Sequence, residues 1–340
     1  MAKRALITGV TGQDGAYLSQ LLLAEGYEVY GTHRRSSSPG LWRLDALGVT
    51  KAIHSVCLDL LEFSNILKVI DKVRPDEVYN LASQSFVGIS FEQPLYTSDV
   101  DALGVARLLE AVRTVNPGIR YYQASTSEMF GRARTHPQTE ETAFYPRSPY
   151  GVAKLFAHWT TVNYRESYGL HASSGILFNH ESPFRGTEFV TRKITSGFAA
   201  IRHGQLDILE LGNLDAKRDW GFAGDYVRGM WLMVQQPQAD DYLLATGEVR
   251  TVRDFVDCAA QAAGFALEWS GSGADAHAVD RATGRTVVRV NPEFYRPAEI
   301  DVLIGSPAKA ERVLGWRRTT GFAQLVERMV EADLARVHQR

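Results

Sequence analysis

Only two cysteines occur in 340 residues, Cys57 and Cys258, far apart and outside any C-x-x-C pairing. That scarcity argues against a disulfide framework or a thiolate zinc site and fits a reducing compartment, so a cytoplasmic location is expected. Charge of one sign is lacking too: 37 Lys and Arg against 39 Asp and Glu leave a formal net charge of -2. With no global basic field for nucleic acid or an anionic membrane, any anion must be bound by a local cluster. No run of about 18 apolar residues appears. The N-terminus "MAKRALITGV" enters a strand pattern with no apolar leader region, so neither a span nor a targeting signal is expected. Internal repeats, coiled-coil heptads and low-complexity tracts are also missing. The partner these absences leave is a small molecule.

What is present is an ordinary globular composition, 45% apolar and 22% charged, long enough for one large or two moderate domains. Apolar runs "RALIT", "YEVYGT", "HSVCLDL", "DEVYNLA", "RYYQAS" and "ASSGILFN" alternate with segments of helical spacing such as Leu18, Leu21 and Leu22. Short strands apolar on both faces predict a parallel sheet covered by helices on each side, a doubly wound α/β fold. Gly26, Pro75 and Asn116-Pro117-Gly118 stop the first, third and later helices. After Asn179 the alternation gives way to loop-rich stretches, "HESPFRGTEF" and "GNLDAKRDWG". A helix around "DYVRGMWLMVQ" and a strand around "DYLLATG" are expected to rejoin the sheet. The expected division is therefore 1–178 with 222–246 in a sheet domain, and 179–221 with 247–340 in a smaller substrate domain. The polar stretch "SGSGADAHAVDRATGR", residues 270–285, reads as a surface insertion.

"LITGVTGQDGAYLSQLLL" sets Gly9, Gly12 and Gly15, with Thr11, Gln13 and Asp14 between them, in a turn from the first strand to the first helix. Glycine lets the backbone approach a pyrophosphate, and the N–H groups at the helix start favour its charge, so a dinucleotide is expected here. At the end of the second strand, where an acid would bond the ribose hydroxyl of NAD, stand Arg34 and Arg35, followed by Ser36 and Ser37. Guanidinium groups suit a 2′-phosphate, so NADP is favoured. Asp59 and Leu60 close the third strand beside the adenine, and Leu81, Ala82, Ser83 and Gln84 close the fourth along the cofactor.

"SPYGVAK" places Tyr150 and Lys154 at i and i+4, on one helix face. A Lys ammonium beside the phenol is expected to lower its pKa from about 10 toward the working pH, making Tyr150 a base. The pair follows a fifth strand that ends in Ser125-Thr126, and Glu128 stands two positions on. His158, His171, Trp159, Trp220 and Trp231 show no metal-ligand spacing, so no metal is expected and packing or surface roles are; no G-x-S-x-G elbow supports a serine hydrolase.

In this order the segments "ITGVTGQDGAYL", "QASTSEMFG", "FYPRSPYGVAK", "GILFNHESPFRG", "FVTRKI", "LGNLDAKRDWG", "ATGE" and "FYRPAEIDVLIG" resemble the extended short-chain dehydrogenase/reductases and, within them, the GDP-mannose 4,6-dehydratases. The resemblance runs through nearly the whole chain. It implies a Rossmann domain with a smaller C-terminal substrate domain, NADP as cofactor, and Thr126, Glu128, Tyr150 and Lys154 as the catalytic set. In the implied reaction Tyr150 takes the C4 hydroxyl proton of the sugar as hydride leaves C4, and Thr126 holds the resulting ketone. Glu128 removes the C5 proton and helps expel the C6 hydroxyl, and hydride returns at C6. The resemblance further sets Asn179, Lys193, Arg218, Arg296 and Glu299 around the nucleotide and diphosphate, His180 and Arg185 on the cofactor side, and Ser85 and Tyr96 at cofactor or substrate. It also implies a homodimer or homotetramer, with "RRSSSPGLWR" a candidate for reaching a neighbouring subunit's cofactor. A GDP-heptose dehydratase, a nucleotide-sugar reductase or epimerase, and a cofactor-binding regulatory protein remain open alternatives. Glu128 separates the dehydratases from a simple reductase, which needs no base at C5.

Overall fold

The computed structural model describes residues 2–38, 40–294 and 302–337. Each of the six apolar runs forms a strand: β1 (Arg4–Thr8), β2 (Glu28–His33), β3 (His54–Cys57), β4 (Glu77–Asn80), β5 (Arg120–Thr126) and β6 (Ala172–Leu177). Between them run α1 (Gln13–Ala24), α2 (Trp42–Ala46), α3 (Phe63–Val73), α4 (Val87–Glu92), α5 (Pro94–Ser98), α6 (Gly104–Val115) and α7 (Pro149–Tyr168). A π-helical turn at Asp99–Leu103 joins α5 to α6. Beyond β6 come β7 (Asn179–Glu181), α8 (Val190–Arg202), β8 (Leu209–Leu211), β9 (Lys217–Arg218), β10 (Trp220–Phe222), α9 (Ala223–Gln235) and β11 (Asp241–Leu244). The chain ends with β12 (Arg250–Thr251), α10 (Val252–Ala262), β13 (Leu267–Ser270), β14 (His277–Asp280), β15 (Thr286–Val290) and α11 (Phe322–Val337).

The central sheet has the order β11-β6-β5-β4-β1-β2-β3, and every neighbouring pair is parallel. Chain order reverses between β1 and β4, which opens a crevice at the carboxyl ends of those strands. Both faces are apolar because helices cover both. On one side Leu18 and Leu22 of α1 and Met230 and Met233 of α9 pack on Ile7 and Tyr122. On the other, Ile66 and Ile70 of α3 and Leu108 and Leu109 of α6 pack on Leu6 and Tyr121. Tyr121 and Tyr122 thus serve opposite cores, as strand alternation requires. Each such buried aliphatic side chain contributes roughly 1.5–3 kcal/mol, more than an exposed ion pair does.

The later region has its own core. The sheet β13-β14-β15-β8 packs with α8, α10 and α11 around Phe198, Phe255, Val288 and Met329. The buried Arg192 of α8 grips Asp333 of α11, to which Thr195 also donates at 2.7 Å. The segment 270–285, expected as a surface insertion, instead supplies β14, paired on both edges, with Ala276, Ala278 and Asp280 buried. The inward positions of β14 are Ala278 and Asp280, which carry too little apolar bulk to register as a strand pattern. No described helix is long and apolar enough to cross a membrane.

Candidate active site

The crevice is a cavity of about 500 Å³. Its floor is the turn between β1 and α1. Gly9 has φ +69°, and a Cβ there would lie 2.8 Å from Ala82 Cα. At Gly15 it would lie 2.6 Å from the Gly9 carbonyl oxygen, so the turn is packed against the β4 loop with no room for side chains. Helix α1 starts after Gly12 without a side-chain cap, leaving its first N–H groups for an anion. This cradle fits a dinucleotide pyrophosphate. A Gly9→Ala chain takes on about 1–3 kcal/mol of backbone strain before any clash with Ala82. Its melting temperature should fall, and its affinity for a nicotinamide dinucleotide with it, as a thermal scan with and without cofactor reads out.

The turn is tied to the far side of the crevice. Gln13 Nε2 donates to the His180 carbonyl at 2.8 Å and receives Ser182 Oγ on its own oxygen at 2.7 Å. The His180 ring meets the Phe178 carbonyl at Nδ1 (2.8 Å) and Asp14 Oδ2 at Nε2 (2.9 Å). With an acceptor at each nitrogen, the ring is favoured as an imidazolium. Burial alone would lower its pKa, yet the charge and hydrogen bond of Asp14 raise it overall. Burial likewise opposes ionisation of Asp14, and His180 outweighs it to hold the carboxyl below its usual range. The His180 contribution to stability is full below pH about 6.5 and is lost as pH rises through its raised value. That of Asp14 is present above pH about 3.9 and is lost on acidification through its lowered value.

At the β2 end, Arg34 lines the cavity and donates from Nη1 to the Tyr96 hydroxyl. Asp59, Leu60, Leu81, Ala82, Ser83, Gln84 and Ser85 form the wall between. Arg35, Ser36 and Ser37 are exposed on the loop beyond and do not line the cavity. Arg43 of α2, the last residue of the segment "RRSSSPGLWR" expected to reach a neighbouring subunit's cofactor, lines this cavity. Its Nε donates to the Phe184 carbonyl at 2.7 Å and its Nη1 to the Thr11 carbonyl at 3.0 Å.

The reacting groups sit at the ends of β5 and α7. Ser148 caps α7, accepting from Gly151 N at 3.0 Å, with Pro149 in the first turn, so Tyr150 and Lys154 emerge at the start of a well-fixed helix. Thr126 ends β5, acts on the Tyr150 phenol so as to lower its pKa, and accepts from Glu128 N at 3.2 Å. The same Thr side chain thus caps the 3-10 turn Ser127–Met129 that carries Glu128. Thr126, Glu128, Tyr150 and Lys154 all line the cavity, and the last three are buried. The expected depression of the phenol by Lys154 is not found. Burial pushes Tyr150 up, Asp101 and Glu128 add to the rise, and Thr126 and Arg185 oppose it. Lys154 lies 5.8 Å from the ring centroid and donates to the Ala124 carbonyl at 3.1 Å, and burial lowers its own pKa. Desolvation, which sequence spacing does not report, dominates both groups.

Asn179, His180 and Arg185 line the same cavity, together with Phe184, Glu188 and Phe189, which sequence reasoning passed over. Arg185 lies over the Phe189 ring at 3.6 Å and pairs with Glu181 at 3.1 Å. Lys193 and Arg218 are not in the lining. Lys193 Nζ stands 3.8 Å over the Phe294 ring, and Arg218 is buried in β9 with Nη1 on the Lys217 carbonyl at 2.9 Å. Arg296 and Glu299 lie outside the described residues.

A wholly parallel sheet reversing between β1 and β4, a glycine cradle at its centre, a Thr at the end of β5 and a Tyr-Lys pair at the start of α7 define an extended short-chain dehydrogenase/reductase. A dTDP-glucose 4,6-dehydratase from Streptomyces venezuelae, solved with NAD and TYD bound, has the same fold, with TM-score 0.82 and 22% identity over 97% of this chain and 96% of that one. The family model described as GDP-mannose 4,6 dehydratase matches residues 6–329, and the chain belongs to that family. It is 52% identical over 340 residues to a GDP-mannose 4,6-dehydratase of Sinorhizobium fredii, covering 98% of this chain and 97% of the relative. To the human GDP-mannose 4,6 dehydratase it is 49% identical over 338 residues, covering 97% and 91%.

Proposed function

We propose that this chain dehydrates GDP-D-mannose to GDP-4-dehydro-6-deoxy-D-mannose with NADP as cofactor. The observation that carries the reading is the Glu128 carboxylate in the same crevice as Thr126, Tyr150 and Lys154. A reductase of this fold has no use for an acid there. Tyr150 takes the proton of the C4 hydroxyl, and the Thr126 hydroxyl steadies the oxygen as it becomes a ketone. That ketone acidifies C5–H, Glu128 accepts the proton, and its protonated form assists departure of the C6 hydroxyl as water. A bound nicotinamide would supply hydride acceptance from C4 and its return to C6, and C5 then regains a proton from solvent that balances the one Tyr150 took from the C4 hydroxyl.

NADP rather than NAD is supported by Arg34 at the end of β2, where no acid stands. Arg34→Ala should cost about tenfold or more of NADP affinity and leave NAD affinity unchanged, read by fluorescence titration of both cofactors. A homodimer or homotetramer is supported by the exposed stripe Val152, Phe156 and Trp159 on α7, spaced i, i+4, i+7, beside exposed Leu95 and Leu103. Light scattering should give a multiple of the chain mass, and Phe156→Glu with Trp159→Glu should reduce it to one. Cys57 and Cys258 are free thiols, which accords with a cytoplasmic setting. The functional reading is tested by incubating the protein with GDP-mannose and catalytic NADP and weighing the product. Loss of one water supports it; unchanged mass, with GDP-heptose dehydrated instead, removes mannose as the substrate.

A further inference from the structure

Asp101 is 1% exposed and belongs to neither the glycine turn nor the reacting set. It sits in the π-helical turn Asp99–Leu103, which packs against α7, the helix of Tyr150 and Lys154. Extra-residue turns of this kind re-aim a side chain and recur at functional sites. Here the turn aims a carboxylate behind the crevice. Oδ1 accepts from Gln84 N at 2.8 Å and Oδ2 from Ser83 Oγ at 3.0 Å, so both oxygens are bound as acceptors, the pattern of an ionised carboxylate. Ser83 and Gln84 are cavity wall. One carboxylate therefore holds the wall that faces the reacting groups and lies in the field of those groups itself.

We propose that Asp101 is a positioning residue of the reacting centre: it anchors the Ser83–Gln84 wall and provides the buried counter-charge to the Lys154 ammonium. The proposal rests on the dehydratase reading for its kinetic test only. Burial lowers the pKa of Lys154, and Asp101 is the charge that opposes this. The reverse holds at Asp101, where burial raises the carboxyl and Lys154, Gln84 and Ser83 pull it back. At Tyr150 burial and Asp101 push the phenol up together, Glu128 adds to them, and Arg185 and the Thr126 hydroxyl work against them. Removing the charge of Asp101 thus moves Lys154 and Tyr150 in the same direction, downward, whereas loosening the wall moves neither.

Asp101→Asn separates the two roles. The amide oxygen still accepts from Gln84 N and the amide nitrogen can donate to Ser83 Oγ, so shape is kept and charge is lost. In this variant both limbs of the rate profile, which report the coupled Lys154 and Tyr150 titrations, should move down by about one pH unit or more. NADP affinity should stay close to that of the unsubstituted protein. Ser83→Ala keeps the charge and cuts one tie, so NADP binding should weaken with both limbs in place. Unmoved limbs in Asp101→Asn, or moved limbs in Ser83→Ala, overturn the proposal, and the second arm stands if the first variant does not fold. Titration of the Lys154 15Nζ signal by NMR in the unsubstituted chain and in Asp101→Asn needs no substrate. A lower midpoint in the variant supports the proposal even if GDP-mannose is not turned over, and an equal midpoint contradicts it.

Discussion

In Glu128→Gln, dehydration of GDP-mannose should fall by about 10²–10⁴-fold, the range spanned by a positioned acid or base. Gln matches the shape of Glu, and the 3-10 turn beneath it is held by Thr126 Oγ1 on the backbone N of residue 128, which the substitution leaves alone. Folding and nicotinamide-cofactor binding should therefore be retained. The specific loss is at C5: in deuterium oxide the unsubstituted protein should place solvent deuterium at that carbon of the product, and the variant should not exchange it. Exchange at the original rate would remove Glu128 as the C5 base, whatever happened to turnover.

Tyr150→Phe should lose about as much, some 10²–10⁴-fold, and by a different route. Without the phenol oxygen the C4 proton has no acceptor, no ketone forms, and both oxidation and C5 exchange stop together. The ring still fills its buried position, so NADP affinity should be unchanged. The pH profile carries the sign. Burial raises the phenol and lowers the Lys154 ammonium, so the two titrations converge, and the rate should rise and fall with the coupled pair and not with one residue per limb. In Tyr150→Phe one of the two limbs should vanish from the residual rate. Two unchanged limbs there would belong to other groups.

The parts that sequence discloses best are those governed by period and by backbone need. The alternation of "RALIT" and its five successors marks parallel strands because both faces must be apolar. Gly9 and Gly15 mark the cradle because only glycine clears Ala82 and the Gly9 carbonyl. Tyr150 and Lys154 are legible because i and i+4 share a helix face. What sequence conceals is burial and convergence. Asp101 carries no motif in the sequence, and only the fold places it behind the reacting centre and Arg43 between Thr11 and Phe184. The strand β14 hides because its inward positions are Ala278 and Asp280, which give no apolar pattern. The electrostatics of Tyr150 run opposite to expectation, because desolvation depends on everything packed around the phenol and not on the spacing to Lys154.

The central claim is that a single crevice performs an internal oxidation, elimination and reduction, with Glu128 adding the middle step. It is tested most directly with GDP-mannose carrying deuterium at C4, incubated with the protein and less than one equivalent of NADP per substrate. The account predicts a product lighter by one water with the deuterium recovered at C6 over many turnovers. Deuterium that stays at C4, or a product that forms only in step with added cofactor, would contradict it.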